Sequence, residues 1–233
     1  MFKNSPSSSP DSDKWRDRSI LITEDGSATL KLNRMGEHYH SVYGAWNESM
    51  HIYIEAGLKA VSRENIRILE VGFGTGLNTI LTLVHKGDKN IFYHAIEAYP
   101  LTEEEVSALN YCRFLPSGDY PAFQKLHSCA EGEIHEMANG FSFIKEIRKL
   151  EDTLLEAGHY DLVYFDAFSP DFQEELWEEA IFSRLYTAMR KEAVLVTYCA
   201  KGRVKRALKK TGFRLESLPG PRGKREIIRC VKI

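Results

Sequence analysis

A short strand followed by a glycine-rich loop and a helix is the feature that most constrains how this chain can fold. Ile66 to Val71 is mainly apolar, the next five residues read Gly72-Phe-Gly-Thr-Gly76, and a helical run continues to about His85. This order is typical of a parallel α/β sheet, which binds ligands at the carboxyl ends of its strands. Because glycines let the backbone approach a ligand without an intervening Cβ, we predict a cofactor over this loop.

Helical and strand patterns alternate along the rest of the chain. Further strands are predicted at 91–96, 141–147, 160–165, 193–197, 213–217 and 226–231, and helices at 103–110, 178–189 and 204–210. Alternation with apolar strands predicts an α/β protein with helices on both faces of a mostly parallel sheet. Together with the strand at 66–71, these six strands give a predicted sheet of seven strands in a Rossmann-like arrangement.

The composition indicates one main domain with additions. Residues 1–13 are rich in Ser, Pro and Asp and are predicted to form a disordered tail. We assign residues 14–62 to an accessory region, with a hairpin and a helix over 47–61, and residues 63–233 to the core. No segment reaches the roughly 18 apolar residues that a membrane span needs, and the four cysteines lack zinc-ligand spacing. We expect no metal, no membrane contact and a cytoplasmic location.

An acid after the second strand narrows the choice of cofactor. Glu97 follows Gly76 by 21 residues, and a carboxylate at this position can accept hydrogen bonds from both ribose hydroxyls of an adenosine. The dinucleotide pattern would be GxGxxG, whereas this loop reads GxGxG with Asn78 beyond it. The spacing favours S-adenosyl-L-methionine over a nicotinamide cofactor, and Glu70 to Gly76 looks like the first motif of class I methyltransferases.

Asp166 follows the fourth strand and should lie beside the cofactor site. Methylation of an amine needs a neutral nucleophile, so a carboxylate that orients the N–H and balances positive charge would suit this position. Asp166 could instead cap the following turn. Phe168 and Pro170 could form an apolar wall for a flat base or simply pack the loop.

Five sequence blocks resemble the bacterial tRNA 5-(aminomethyl)uridine methyltransferase family, the MnmC methyltransferase domain and its stand-alone form MnmD. These blocks are 38–48, 68–78, 164–170, 196–202 and 218–226. The resemblance implies methyl transfer from S-adenosyl-L-methionine to the amine of 5-aminomethyl(-2-thio)uridine at the tRNA wobble position, without the oxidase domain of longer relatives. Asp166 is the predicted catalytic residue. The predicted cofactor-binding residues are Glu70, Gly72, Gly74, Thr75, Gly76, Asn78, Glu97 and Asp166.

The acid that often contacts adenine in class I methyltransferases has no clear counterpart after the third strand. Glu151 or Asp152 could take this place, or a backbone group could. The adenine contact is therefore left unassigned by the sequence.

The charge distribution predicts a nucleic-acid surface near the C-terminus. Residues 201–233 carry twelve Lys and Arg against two acids, which is +10, while the whole chain is at −2. We predict that tRNA meets this basic region, although a solvated helix face would have the same composition. The predicted substrate-side residues are Tyr39, His40, Glu48, Phe168, Pro170, Lys224 and Arg225.

Two rival functions share these features. A polyamine-synthase-like aminopropyltransferase has the same fold and also attacks a sulfonium-bound carbon with an amine, but it does not need a basic C-terminal region. A partner subunit that binds S-adenosyl-L-methionine without catalysing a reaction is the second rival. An assay of the chain on its own would separate it from an enzyme.

Overall fold

The computed structural model describes residues 14–116 and 119–233, so the predicted tail at 1–13 lies outside the described residues. The strands are β1 (Arg18–Ile22), β2 (Ala28–Leu32), β3 (Glu37–His38), β4 (Asn65–Val71), β5 (Asn90–Glu97), β6 (His135–Ala138), β7 (Phe141–Ile147), β8 (Tyr160–Phe165), β9 (Met189–Thr197), β10 (Phe213–Pro219) and β11 (Glu226–Lys232). The α-helices are α1 (Ala45–Ser49), α2 (Leu77–His85), α3 (Glu103–Ala108), α4 (Tyr120–Ser128), α5 (Glu179–Ala188) and α6 (Gly202–Thr211).

An eight-stranded sheet forms the centre of the molecule, in the order β10-β11-β9-β8-β4-β5-β7-β6. The five inner strands from β9 to β7 run parallel, and β11 pairs antiparallel with both β9 and β10. The α/β class and the mostly parallel sheet are therefore confirmed. Strands β1, β2 and β3 form a separate three-stranded antiparallel sheet.

The predicted count of seven strands in the main sheet was wrong, because β6 adds an eighth strand at the edge. It pairs antiparallel with β7 across the two residues Asn139 and Gly140. Gly140 has φ of 70°, and Asn-Gly is the dipeptide that most favours a two-residue hairpin turn. The sequence therefore contained a signal for this strand. Helix α4 was also not predicted.

The single helix predicted over 47–61 was wrong. Helix α1 passes into a π-helical turn at Met50–Glu55, and a 3-10 turn follows at Leu58–Ala60. Gly57 separates the two turns, and a Cβ on it would lie 2.5 Å from the Tyr53 carbonyl oxygen and 3.0 Å from the Tyr164 ring. The chain packs closely against β8 there, and the backbone of Gly57, with φ of −99° and ψ of −83°, departs from the helical conformation.

The core lies on both faces of the main sheet. Along β8, Leu162 and Tyr164 contribute to one buried cluster, and Val163 and Phe165 contribute to the other. This alternation follows the two-residue period of a strand. The small N-terminal sheet joins the first cluster through Ala28. Within the described ranges, no helix is long and apolar enough to cross a membrane.

Candidate active site

A cavity of about 350 Å³ opens at the carboxyl ends of β4, β5 and β8. The loops after these strands meet the segment 37–43 and the loop between β10 and β11 around it. Of the predicted site residues, those that line the cavity are Tyr39, His40, Glu48, Gly72, Gly74, Thr75, Asn78, Glu97, Asp166, Phe168 and Lys224. Four predicted residues do not line it, namely Glu70, Gly76, Pro170 and Arg225.

The glycine loop is shaped by close backbone contacts. A Cβ on Gly72, whose φ is 91°, would lie 2.5 Å from the Asp166 carbonyl oxygen. The Asp166 N–H donates to the Val71 carbonyl at 2.9 Å, so the ends of β4 and β8 touch directly. Gly74, with φ of 50°, faces the ring of Tyr39. Glycine at Gly72 and Gly74 therefore keeps the cavity floor open where a cofactor would lie.

Glu97 holds the loop from the end of β5. One carboxylate oxygen accepts from the Gly74 N–H and the other from the Tyr99 N–H, both at 2.7 Å. A carboxylate has about four acceptor positions, so each oxygen keeps one for a further donor. Because Glu97 also lines the cavity, it can accept from the two hydroxyls of a ribose.

Asp166 directly follows β8 and lines the cavity. Its Oδ2 accepts from the Asn78 amide at 2.8 Å. Burial raises the pKa of Asp166 to about 7, against the lowering effect of the Tyr53 hydroxyl and Asn78. The Oδ1 of Asn78 is buried and has no hydrogen-bond partner among the described residues. An unpartnered acceptor in the cavity wall suits a ligand that donates an N–H.

Glu70 lies beneath the loop and not in the cavity. Its two oxygens accept from Asn78 at 3.0 Å and from Thr79 at 2.8 Å. Burial raises the pKa of Glu70 to about 8. Glu70 is thus placed to fix the Asn78 side chain, which in turn contacts Asp166.

A lysine and a glutamate from other segments also line the cavity. The Lys224 Nζ is 3.1 Å from the Glu48 Oε1 and 4.9 Å from the centre of the Tyr198 ring. The other oxygen of Glu48 accepts from the Ser41 N–H at 2.6 Å. Burial lowers the pKa of His40 to about 4, so this imidazole is neutral at physiological pH. The N-terminal segment thus supplies both charged and neutral polar groups to the cavity.

Aromatic rings cover the cavity from the N-terminal side. Tyr39 meets Phe168 edge to face at 4.8 Å, and Trp15 stacks on Tyr99 at 4.9 Å. Arg18 fixes this cover by donating to the Tyr99 carbonyl at 2.6 Å. Phe168 itself is part of the cavity wall.

Pro170 and Arg225 lie elsewhere than the cavity wall. Pro170 is buried within its loop, and Arg225 is exposed. Among the acids considered for the adenine contact, Glu151 lines the cavity and Asp152 does not.

The sequence did not indicate several of these residues. Trp15, Arg18 and Tyr99 are brought together across about 80 residues of chain. Tyr53 lies on the π-helical turn. Burial raises the pKa of its hydroxyl, and the nearby Asp166 raises it further. Tyr198 donates to the Ala167 carbonyl at 2.9 Å. Only Tyr198 had a signal, because it directly follows a predicted strand.

Comparison with known proteins agrees with this geometry. Residues 141–233 match a family model described as S-adenosyl-L-methionine-dependent methyltransferase. The tRNA 5-methylaminomethyl-2-thiouridine biosynthesis bifunctional protein MnmC of Magnetococcus marinus is 29% identical over 213 residues, which cover 83% of this chain and 31% of that protein. The crystal structure of MNMC2 from Aquifex aeolicus superposes with a TM-score of 0.74 at 27% identity, over 91% of this chain and 69% of that one. The chain is thus similar to the methyltransferase part of MnmC proteins.

The match of residues 141–233 to an S-adenosyl-L-methionine-dependent methyltransferase model confirms the predicted cofactor, S-adenosyl-L-methionine. The chain spans about a third of the length of the curated MnmC relatives. Spermidine synthase from Thermotoga maritima superposes with a TM-score of 0.57 at 13% identity, a likeness that shows the fold alone. The described residues contain no group of three or more His, Cys, Asp or Glu that could hold a metal.

Proposed function

We propose that the chain transfers a methyl group from S-adenosyl-L-methionine to the amine of 5-aminomethyl(-2-thio)uridine at the wobble position of tRNA, in the cytoplasm. The observation that carries the proposal is the position of Asp166. This carboxylate lines one cavity together with the glycine loop, Tyr39, Phe168 and Lys224. The names of the MnmC relatives, which refer to biosynthesis of a methylaminomethyl uridine, support the same substrate.

The cavity floor fits the cofactor. S-adenosyl-L-methionine supplies an electrophilic methyl group when it is bound. Glu97 would accept from the ribose hydroxyls, and the free Oδ1 of Asn78 would accept from the amino group of the methionine part. Gly72 and Gly74 leave room for both contacts. Trp15 and Tyr99 would help to keep water out of the site.

Asp166 would perform the proton chemistry. An amine is largely protonated at neutral pH and must lose a proton before its nitrogen can attack. The ionised Asp166 carboxylate would pair with the ammonium and accept this proton, which frees the nitrogen lone pair for attack on the methyl group. Asn78 would hold the carboxylate in place. Glu48, paired with Lys224, would supply a second negative group that attracts the amine.

Labelled methyl transfer tests the proposal. The purified chain would be incubated with labelled S-adenosyl-L-methionine and two tRNA pools, one from cells that accumulate the aminomethyl intermediate and one fully modified. We expect label at the wobble uridine of the first pool only. Cofactor binding without incorporation into either pool would contradict the tRNA assignment. Transfer of an aminopropyl group from decarboxylated S-adenosylmethionine would support the aminopropyltransferase rival.

The rate of methyl transfer should depend on pH through Asp166. Burial raises the pKa of this carboxyl to about 7, and only the ionised form can accept a proton. As pH falls through 7 the carboxylate becomes protonated, so we expect kcat/KM to fall about tenfold per pH unit below this value. A rate profile from pH 5.5 to 9 measures this limb, and a flat profile between pH 5.5 and 7 would contradict the role.

Ion pairs with acids balance more of the positive charge of the basic C-terminal region than its composition indicates. Cations of α6 and of the residue before it pair with acids from elsewhere in the fold. These pairs join Lys201 and Arg203 to Asp171, Lys205 to Glu226, and Lys210 to Glu179. Arg206 and Lys209 are exposed and have no ion pair in the described part of the chain. We propose that these two residues contact the tRNA backbone.

Removing these unpaired cations should weaken tRNA binding in a salt-dependent way. For Arg206→Gln combined with Lys209→Gln we expect the slope of log Kd against log salt to fall by about 1.5, because each lost phosphate contact removes about 0.7 to 0.9. Lys210→Gln is the matched control, since this lysine pairs with Glu179 at 2.6 Å. Titration by fluorescence anisotropy at several salt concentrations measures the slope. Equal slopes for the double variant and the wild type would contradict the contact.

A further inference from the structure

A second, smaller cavity of about 230 Å³ adjoins the first. It lies between the N-terminal sheet and the loop that joins β10 to β11. Its wall includes Glu24, Asp25, Gly44, Asn47, Pro221 and Arg222. Tyr43 and Glu48 line both cavities, so they form the boundary between them.

The two cavities meet where two segments of the chain cross. Residues 37–43 line the first cavity, Gly44 and Asn47 line the second, and Tyr43 and Glu48 line both. The loop after β10 lines the second cavity with Pro221 and Arg222 and the first with Gly223 and Lys224. Tyr43 and Gly223 meet at the crossing, because a Cβ on Gly223 would overlap the tyrosine ring. The ring of Tyr43 therefore packs directly against the backbone of Gly223.

Tyr43 remains partly exposed to solvent despite this contact. This residue is 41% exposed, whereas Tyr39, Tyr99, Phe168 and Tyr198 around the first cavity are only partly exposed. The guanidinium of Arg222 lies 5.4 Å from the ring centre and is held there by Glu24 at 2.6 Å. An exposed ring braced by backbone and by a cation is a suitable surface for stacking.

The charge of the second cavity selects the part of a nucleotide that can enter. Glu24, Asp25 and Glu48 contribute three carboxylates, of which Glu24 pairs with Arg222 and Glu48 with Lys224, so one negative charge is left in excess. A phosphate would be repelled by this excess of negative charge, whereas an uncharged ring would not. The cavity therefore suits a nucleobase and not the backbone that carries it.

We propose that Tyr43 is the stacking platform for the nucleobase next to the target uridine, which enters the second cavity while the target enters the first. The inference rests on the proposed function and adds a subsite to it. A target base must leave its stack to reach an enclosed site, which costs the stacking with its neighbour. Tyr43 replaces this lost contact, since single-stranded bases are commonly bound by stacking on aromatic side chains. Stacking accepts any base, so the subsite imposes no sequence.

Anticodon stem-loops with one missing base test the subsite. Three substrates carry the aminomethyluridine: one intact, one abasic on its 5′ side and one abasic on its 3′ side. For the wild type we expect one abasic position to lower kcat/KM about tenfold, a stacking contact being worth 1–3 kcal/mol. For Tyr43→Ala the intact substrate should show the same loss, and the abasic position should cost nothing further. Tyr43→Phe keeps the ring and should behave as the wild type.

Each outcome has a clear meaning. Equal kcat/KM for Tyr43→Ala and wild type on the intact stem-loop, or an abasic penalty that Tyr43→Ala retains in full, would overturn the subsite. Calorimetry with S-adenosyl-L-methionine shows whether Tyr43→Ala is folded, because its affinity for the cofactor should equal that of the wild type. If the wild type methylates none of the three substrates, the proposed function fails, and this result is distinct from failure of the subsite.

Discussion

Asp166→Asn is expected to lower kcat for methyl transfer by about 10²- to 10⁴-fold, the usual contribution of a positioned general base. The amide keeps the size of the carboxylate, and its oxygen can still accept from Asn78. It cannot accept a proton from the substrate amine or balance the charge on nitrogen. Single-turnover rates with the cofactor and tRNA in excess of Kd measure the chemical step directly.

The pH profile separates a proton-accepting role from a merely structural one. In the wild type the fall in rate should begin near pH 7, whereas in Asp166→Asn it should begin near the higher pKa of the substrate amine, because the asparagine amide does not titrate and the amine must lose its proton to water. Asp152→Asn is the matched control, since this acid is exposed and does not line the cavity. A kcat for Asp166→Asn within about threefold of the wild type would contradict a role in proton transfer. It would favour the alternative that Asp166 only shapes the turn.

The parts of the site that the sequence predicted are those encoded by local pattern. A glycine loop after a strand, and acids directly after the next strands, must meet at one edge of a parallel sheet. Gly72, Glu97 and Asp166 do meet there, within a single cavity. Their roles in binding and catalysis stay predictions until variants are measured.

The cover of the cavity could not be predicted because it depends on contacts between distant segments. Trp15 stacks on Tyr99, and Arg18 reaches the carbonyl of the same residue. No periodicity within either segment reveals such a pairing. Tyr53 was missed for a different reason, since the helical pattern around it gave no sign of the π-helical turn on which it lies.

The charge of the C-terminal region illustrates a third limit. Net charge along a sequence counts cations but cannot identify their partners. Lys201 and Arg203 meet Asp171 from the loop after β8, and Lys210 meets Glu179 at the start of α5. Folding thus removes most of the excess charge from α6, and the two exposed cations that remain are the ones worth testing.

Glu97→Ala is expected to weaken binding of S-adenosyl-L-methionine about 100-fold. Two hydrogen bonds to a charged acceptor contribute about 3 kcal/mol together, and 1.4 kcal/mol corresponds to tenfold in Kd. The variant would also release the Gly74 and Tyr99 N–H groups, which Glu97 now holds at 2.7 Å. Isothermal titration calorimetry gives the Kd, and circular dichroism shows whether the fold is retained.

A cofactor analogue that lacks one ribose hydroxyl separates direct contact from loosening of the loop. S-adenosylhomocysteine and its 2′-deoxy analogue would be titrated into the wild type and into Glu97→Ala. If Glu97 accepts from the hydroxyl, the wild type binds the deoxy analogue about tenfold more weakly than S-adenosylhomocysteine, and the variant binds the two compounds equally well. If Glu97 only holds the loop, the deoxy penalty is the same in both proteins. Equal penalties would therefore contradict the ribose contact while leaving the role in loop structure intact.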